Sequence, residues 1–290
     1  MIVMKIHGGI GNQMFQYALG RHLALRLKTA LKLDVSFYQT ESKRHASRRF
    51  QLDLFHTDLT FATDKELNQL LGLSFLREPN RQLNRFGINV LSNYYGEKSH
   101  NFNREILDLK DNSYLEGYWQ TPQYFEEIEG IIRKEFVFND AIDTQNTGLA
   151  RQIEATVSVA IHIRRGDYLN NPVHNVFDIS YIEKGIALMQ DTIGEKIQLY
   201  IFSDDLKWCR ENLNTLYPNI PKLFCEGGNA KEDLQLMSMC QHFIIANSSF
   251  SWWAAWLGRA SNKTVVAPQK WFNGTKFDGS DIIPKDWIKI

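Results

Sequence analysis

Cysteine is scarce in this chain. Only Cys209, Cys225 and Cys240 occur among 290 residues. The number is odd and no Cys-X-X-Cys is present, which removes a disulfide framework or a thiolate zinc cluster as the basis of the fold. Charge of one sign is missing too: 33 Lys plus Arg face 33 Asp plus Glu, whereas a nucleic-acid-binding domain carries a basic excess. No long apolar run exists. The longest, Phe250 to Leu257, falls far short of the ~20 residues that cross a bilayer. Met1–Ile6 meets Gly8-Gly9 before the apolar region of a signal peptide could form. These absences predict a cytoplasmic protein with no transmembrane segment and no nucleic-acid partner. They leave a peripheral association with a membrane surface, and the oligomeric state, open.

What is present is ordinary globular material, 43% hydrophobic and 12% aromatic, in a length that fits about two domains. In the first half, Ile2–Ile6 and Leu31–Val35 read as short strands. Between them Asn12 is placed to cap a helix over 13–28 whose apolar face includes Met14, Tyr17, Ala18, Leu25 and Leu27. A basic stretch follows (Lys43, Arg44, His45, Arg48, Arg49), then a helix over 65–71, a strand over 114–119, and a helix opened by Pro122 and running to about Lys134. Asn139–Gly148 is polar and reads as a linker. It predicts one domain over 1–140 and another over 150–290.

The second half alternates regularly. Strands are expected at 157–163, 198–202, 223–225, 242–246 and 264–267, with helices at 180–190, 206–213, 231–240 and 252–258. The strands are continuous apolar runs, as in a parallel sheet covered on both faces. Alternating strand and helix predicts a doubly wound α/β domain. In such sheets ligands bind beyond the carboxyl ends of the strands, so the residues there carry the chemistry.

Four such strand ends stand out. His162-Ile163-Arg164-Arg165-Gly166-Asp167-Tyr168 sets two guanidinium groups side by side, suited to an anion such as phosphate, or else paired locally with Asp167. Phe202-Ser203-Asp204-Asp205 offers either a helix cap or two carboxylates for the donor edge of a base. Asn247-Ser248-Ser249-Phe250-Ser251 supplies more small polar residues than one cap needs, at the positive end of a helix. Gly227-Gly228-Asn229 reads as a turn. In the first half, Gly8-Gly9-Ile10-Gly11-Asn12-Gln13 lies between strand and helix, but Met14 stands where a dinucleotide fingerprint needs its third Gly. Tyr94, Tyr95, Tyr118, Trp119 and Trp271 could stack on a sugar, although aromatics more often fill cores. His45 and His56 receive no role.

Taken in order, three of these blocks, with the Gly-rich block extended to Ala18, resemble the bacterial α-1,2-fucosyltransferases of glycosyltransferase family eleven, over residues 8 to about 255. The resemblance implies a GT-B-like α/β architecture of two Rossmann-like domains facing across a cleft. The second would hold GDP-fucose and the first would meet the acceptor. It implies transfer of L-fucose from GDP-β-L-fucose to the 2-hydroxyl of a terminal galactose, with inversion, no cofactor and no metal. No Asp-X-Asp occurs in the chain. By the same resemblance Arg164 and Arg165 meet the diphosphate, one of them possessing instead a structural role. The backbone at Ser248, Ser249 and Phe250 joins them, with Asn247, Gly9 and Gly11 in the donor-binding set. His162 and one of Asp204 and Asp205 read guanine. Asp167 is a candidate base, or orients an arginine, and Asn12 positions a sugar. A fucosyl transferase of another linkage, a nucleotide-dependent oxidoreductase and a sugar-binding module remain the competing readings.

Overall fold

The computed structural model describes residues 1–41, 49–72, 91–194, 196–226, 228–274 and 278–290. Lys43, Arg44, His45, Arg48 and Gly227 lie outside the described residues. The chain divides into two compact units, Met1–Val137 and Phe138–Ile290.

The first unit is built on a parallel sheet of β1 (Ile2–Lys5), β2 (Leu31–Asp34), β3 (Tyr94–Gly96) and β4 (Ser113–Glu116), in the order β2-β1-β4-β3. Ile2, Val3 and Met4 are wholly buried, so β1 is covered on both faces. The helix Ile10–Leu27 is buried through most of its length, with Met14, Tyr17 and Ala18 inaccessible. Val3, Tyr94 and Tyr114 pack with Leu67, Leu70 and Leu71 of the helix Asp64–Leu71. A Thr63–Glu66 capping box starts that helix, a device worth about 1 kcal/mol.

Three local expectations change here. The first helix begins at Ile10 with Gly9 as its cap, not at Asn12. The Asn12 side chain is thereby released from capping. The strand expected over 114–119 stops at Glu116, because Trp119 turns left-handed at φ 56°. The helix expected from Pro122 to Lys134 breaks into 3-10 turns at Pro122–Tyr124 and Glu126–Ile128 before the helix Glu129–Glu135. Phe125, at φ −143°, interrupts it.

The second unit carries β5 (Val157–Ile163), β6 (Ile197–Ser203), β7 (Lys222–Phe224), β8 (His242–Ile244), β9 (Val265–Ala267) and β10 (Ile288–Lys289). All are parallel, in the order β10-β9-β8-β5-β6-β7. Helices follow at Ile179–Ile193, Leu206–Leu213, Ala230–Ser238 and Ser249–Leu257. Val159, Ile161, Ile163, Leu199, Ile201, Ile244 and Val266 form the core with Ile182, Ile186 and Met189. The stretch 139–148, expected as a linker, belongs to this unit. Asp143 caps a 3-10 turn, the helix Thr147–Glu154 follows, and buried Asn146 donates to Glu232 at 3.1 Å. Its polar residues are used as caps and buried partners, which composition alone does not reveal.

Each sheet reverses its winding once. In the second, the chain goes from β5 out through β6 and β7, then returns to β8 on the other side of β5. In the first, β2 lies on one side of β1 and β4 on the other. Adjacent strands whose connections leave in opposite directions open a crevice at their carboxyl ends. The β5/β8 and β1/β4 ends are those places.

Candidate active site

A cavity of about 320 Å³ opens at the β5/β8 crevice, lined among others by His162, Arg164, Phe177, Asn247, Gln269 and Lys270. Such a volume lies at the lower end of the range for small-molecule sites. His162 is buried, and its Nδ1 has no hydrogen-bond partner among the described residues. Burial, and next the Arg164 charge, push its pKa down to about 3. The ring is therefore neutral at pH 7, with one nitrogen to donate and one to accept. A second cavity of about 260 Å³, lined by Trp271, Phe272, Asp278 and Gly279 among others, contains none of the motif residues.

The two arginines diverge. Arg164 lines the cavity and is one-third exposed, held by Asp167 through Nη2 at 2.7 Å and by Asp204 through Nε at 3.1 Å. Burial works against its charge, and Asp204 and then Asp167 more than offset it, so its pKa rises. Arg165 turns away. Its guanidinium lies 3.9 Å from the Trp208 ring centre, and its Nε donates to Asp205 at 3.2 Å. Stacking of this kind contributes roughly 0.5–2 kcal/mol.

Both aspartates are engaged. Asp204 accepts from the Arg165 backbone N–H at 2.9 Å. Asp205 caps the helix Leu206–Leu213 by accepting from the Trp208 N–H at 3.1 Å. Gly166 makes this possible, since a Cβ there would lie 2.5 Å from Asp204 Oδ2. Asp167, offered as a base or as the group that orients an arginine, is paired to Arg164.

Past β8, Asn247 is buried and its Nδ2 donates to the carbonyls of His174 and Trp271 at 2.9 and 3.0 Å. It thus ties two loops to the cavity wall. Ser248 is the cap of the helix Ser249–Leu257, accepting from the Phe250 N–H at 3.4 Å. The Phe250 ring rests against His162 at 5.5 Å between centres. Ser251 is turned inward on the Ala246 and Ser248 carbonyls. Among the described residues, no three His, Cys, Asp or Glu side chains gather as metal ligands would.

In the first unit, Gly9 and Gly11 lie at the start of the helix beyond β1, and Asn12 Oδ1 accepts from Gln120 Nε2 at 2.7 Å. The glutamines of that block are internal struts. Gln16 accepts from the His7 N–H at 3.0 Å and donates to the Gly117 carbonyl at 2.9 Å, fastening the exit of β1 to that of β4. Gln13 holds the Gly8 and Arg49 carbonyls. Of the aromatics, Tyr94, Trp119 and Trp271 are core, and Tyr118 is 37% exposed. Sequence reading missed Glu97 at the end of β3, which accepts from the N–H groups of Tyr118 and Trp119 at 2.7 and 2.9 Å. No local motif marks it. Among the described residues, no helix is long and apolar enough to cross a membrane.

The chain matches the family described as Glycosyl transferase family 11 over residues 1–290. It is 31% identical to the alpha-1,2-colitosyltransferase of Escherichia coli, covering 100% of this chain and 99% of that one. It is 34% identical to the O-antigen biosynthesis glycosyltransferase WbnK of Escherichia coli, covering 98% and 99%. Among solved structures, the alpha-1,6-fucosyltransferase NodZ soaked with GDP-fucose superposes with a TM-score of 0.52 at 15% identity, over 88% of this chain and 91% of that one. The shared fold is α/β of the GT-B type.

Proposed function

Since the chain belongs to glycosyl transferase family 11, we propose that it transfers L-fucose from GDP-β-L-fucose to the 2-hydroxyl of a terminal galactose. The product is an α-1,2 linkage, formed with inversion and without a metal. The observation that carries the donor half of this reading is the cavity at the β5/β8 crevice, where the buried, partnerless Nδ1 of His162 stands beside the Arg164 guanidinium. A nucleoside diphosphate offers a polar base edge to the partnerless His162 nitrogen and phosphate oxygens to the one-third of the Arg164 side chain that its two aspartates leave exposed.

The chemistry follows from the groups present. As the sugar–phosphate bond breaks, negative charge gathers on the departing diphosphate. Fixed donors aimed at that charge lower the barrier. Arg164 is the cavity-lining cation and is assigned to the diphosphate, with the N–H groups at the start of the helix Ser249–Leu257 beside it. Asp167 and Asp204 hold that guanidinium in place. Arg165, Asp205 and Trp208 brace the turn from behind. Neutral His162 is assigned to the guanine edge. Asn12 and the exit of β1 are assigned to the acceptor side. The O-antigen relative fits an acceptor on a surface glycan.

One relative transfers colitose, which is L-fucose without its 3-hydroxyl. That favours a second reading, in which the donor is the colitose ester of GDP. Turnover of both donors on a panel of galactosides, with product linkage read by NMR, separates the two. Calorimetric titration with GDP and an assay in excess chelator complete the test. The expected results are saturable GDP binding, α-1,2 product, turnover unaffected by chelator, and an Arg164→Ala variant slowed on the order of 10²–10³-fold. No heat with GDP and no transfer from either donor would overturn the reading.

A further inference from the structure

The strand order of the first sheet puts its switch point at the ends of β1 and β4, and one carboxylate on the neighbouring strand end has no part in the reading so far. We propose that Glu97 takes the acceptor hydroxyl of the sugar bound at the ends of β1, β3 and β4, and accepts its proton during transfer. This rests on the function proposed above.

Glu97 directly follows β3, which pairs with β4 in register Gly96 to Glu116. Its side chain is 9% exposed. Both carboxylate oxygens receive backbone N–H groups, from Tyr118 and Trp119. That grip requires two unusual features. Trp119 adopts a left-handed backbone at φ 56°, a conformation that non-glycine residues hold at a cost and that gathers at functional sites. Gly117 has no side chain, and a Cβ there would lie 2.4 Å from the Glu97 Cβ. A carboxylate needed only as a surface charge would not demand either.

Aromatic rings surround this turn. Tyr118, the exposed ring, lies 4.8 Å from the His7 ring and 6.5 Å from the His100 ring. It gives an exposed aromatic face two residues from Gln120, whose Nε2 donates to Asn12 Oδ1 at 2.7 Å. The titratable groups around Glu97 are His100, whose Nδ1 is 3.9 Å away, His7 at the exit of β1, and Glu116 on β4. Glu116 is occupied by Lys5 at 3.3 Å and the Tyr94 hydroxyl at 2.8 Å. Burial pushes the Glu97 carboxyl up to about 7, and the two backbone donors restrain the rise. A base poised near the working pH is the most effective kind.

The step balances. The acceptor oxygen forms its bond to C1 of fucose while the bond from C1 to the phosphate oxygen breaks. The electron pair of that broken bond leaves with GDP. The acceptor proton passes to Glu97 and then to water.

The test is the pH profile of kcat from pH 5 to 9, for the wild type and for Glu97→Gln, alongside GDP affinity by calorimetry. The wild-type profile should rise tenfold per pH unit to a break near neutrality. Glu97→Gln should lose the break and slow on the order of 10²-fold or more, with GDP affinity unchanged. If Glu97→Gln fails to fold by circular dichroism, Glu97→Asp decides: a slowing of tenfold or more with the break retained supports the proposal, and an unchanged rate overturns it. A carboxylate that only closes the 117–119 turn would leave kcat within threefold and the break in place, and that result overturns the proposal. A wild type inactive on both donors would instead reject the underlying reading.

Discussion

Gly166→Ala is a one-methyl perturbation aimed at the arginine turn. The new Cβ would sit 2.5 Å from Asp204 Oδ2 and 3.2 Å from its Cγ. Gly166 has no left-handed φ, so alanine adds no backbone strain. The methyl must therefore displace the carboxylate. Asp204 cannot yield freely, because it accepts the Arg165 N–H at 2.9 Å and pairs with Arg164 at 3.1 Å. Losing a hydrogen bond to a charged group costs about 1.5–3 kcal/mol. The partly exposed Arg164 pair adds at most about 1 kcal/mol. A loss near 2 kcal/mol lowers the melting temperature by roughly 4–8 °C for domains of this size. The larger effect falls on rate, since misplacing a positioning group by about 1 Å costs on the order of 10²-fold. The assay is kcat with GDP-fucose, together with thermal unfolding, in a cycle with Asp204→Ala. In the Asp204→Ala background the two close atoms are gone and the Cβ that remains lies at 3.9 Å, an ordinary contact, so Gly166→Ala should then cost little further. Full additivity of the two substitutions, or a Gly166→Ala enzyme within twofold of wild type, would refute the reasoning.

Two further predictions concern the same unit. His162 has its pKa depressed to about 3 from an ordinary value near 6.5. Below pH 6.5 the unfolded chain takes up a proton that the folded chain refuses. Stability is thus nearly intact above pH 6.5 and is lost as pH falls toward 3, by about 1.6 kcal/mol between pH 6.5 and 5. Urea unfolding at those pH values should show this loss for wild type and a shallower slope for His162→Asn; equal slopes contradict the assigned burial. Asp205→Ala removes a helix cap and the Arg165 partner, at about 1–2 kcal/mol. It should lower the melting temperature while slowing turnover less than Arg164→Ala. A large rate loss with unchanged melting would mean that Asp205 touches the donor.

The second unit was largely legible in the sequence because its chemistry is local. Apart from the two-residue β10, which was not expected, the strands there are short, mainly apolar runs, and the motifs lie where those runs end. His162, Asp204 and Asn247 could be placed at strand ends without knowing the sheet order. What could not be read was the division of labour within a motif. Arg164 and Arg165 are adjacent, so their side chains leave the backbone in different directions. Only the position of Trp208, contributed by the following helix, decides which one is stacked and which one faces the cavity. Likewise a serine or aspartate before a helix looks the same whether it caps or binds. Asp205 and Ser248 both accept from an N–H in the first turn of a helix.

The first unit was less legible for a physical reason that also explains why Glu97 escaped notice. β3 has only three residues, Tyr94–Gly96, too few for any periodicity to register. The significance of Glu97 resides in its partners, the N–H groups of Tyr118 and Trp119, about twenty residues later in the chain. The sequence reads as a strand continuing to Trp119, as expected over 114–119. The Glu97 carboxylate instead accepts the Tyr118 and Trp119 N–H groups together, and Trp119 is left-handed in that turn. Gly117, which looks like a strand end, is the residue that lets the carboxylate come close enough to do it. A turn held open by a distant acid has no sequence signature of its own. The same nonlocal balance, burial against two donors, leaves Glu97 titrating near neutrality, so the feature hidden from sequence reading is the one with chemistry to offer.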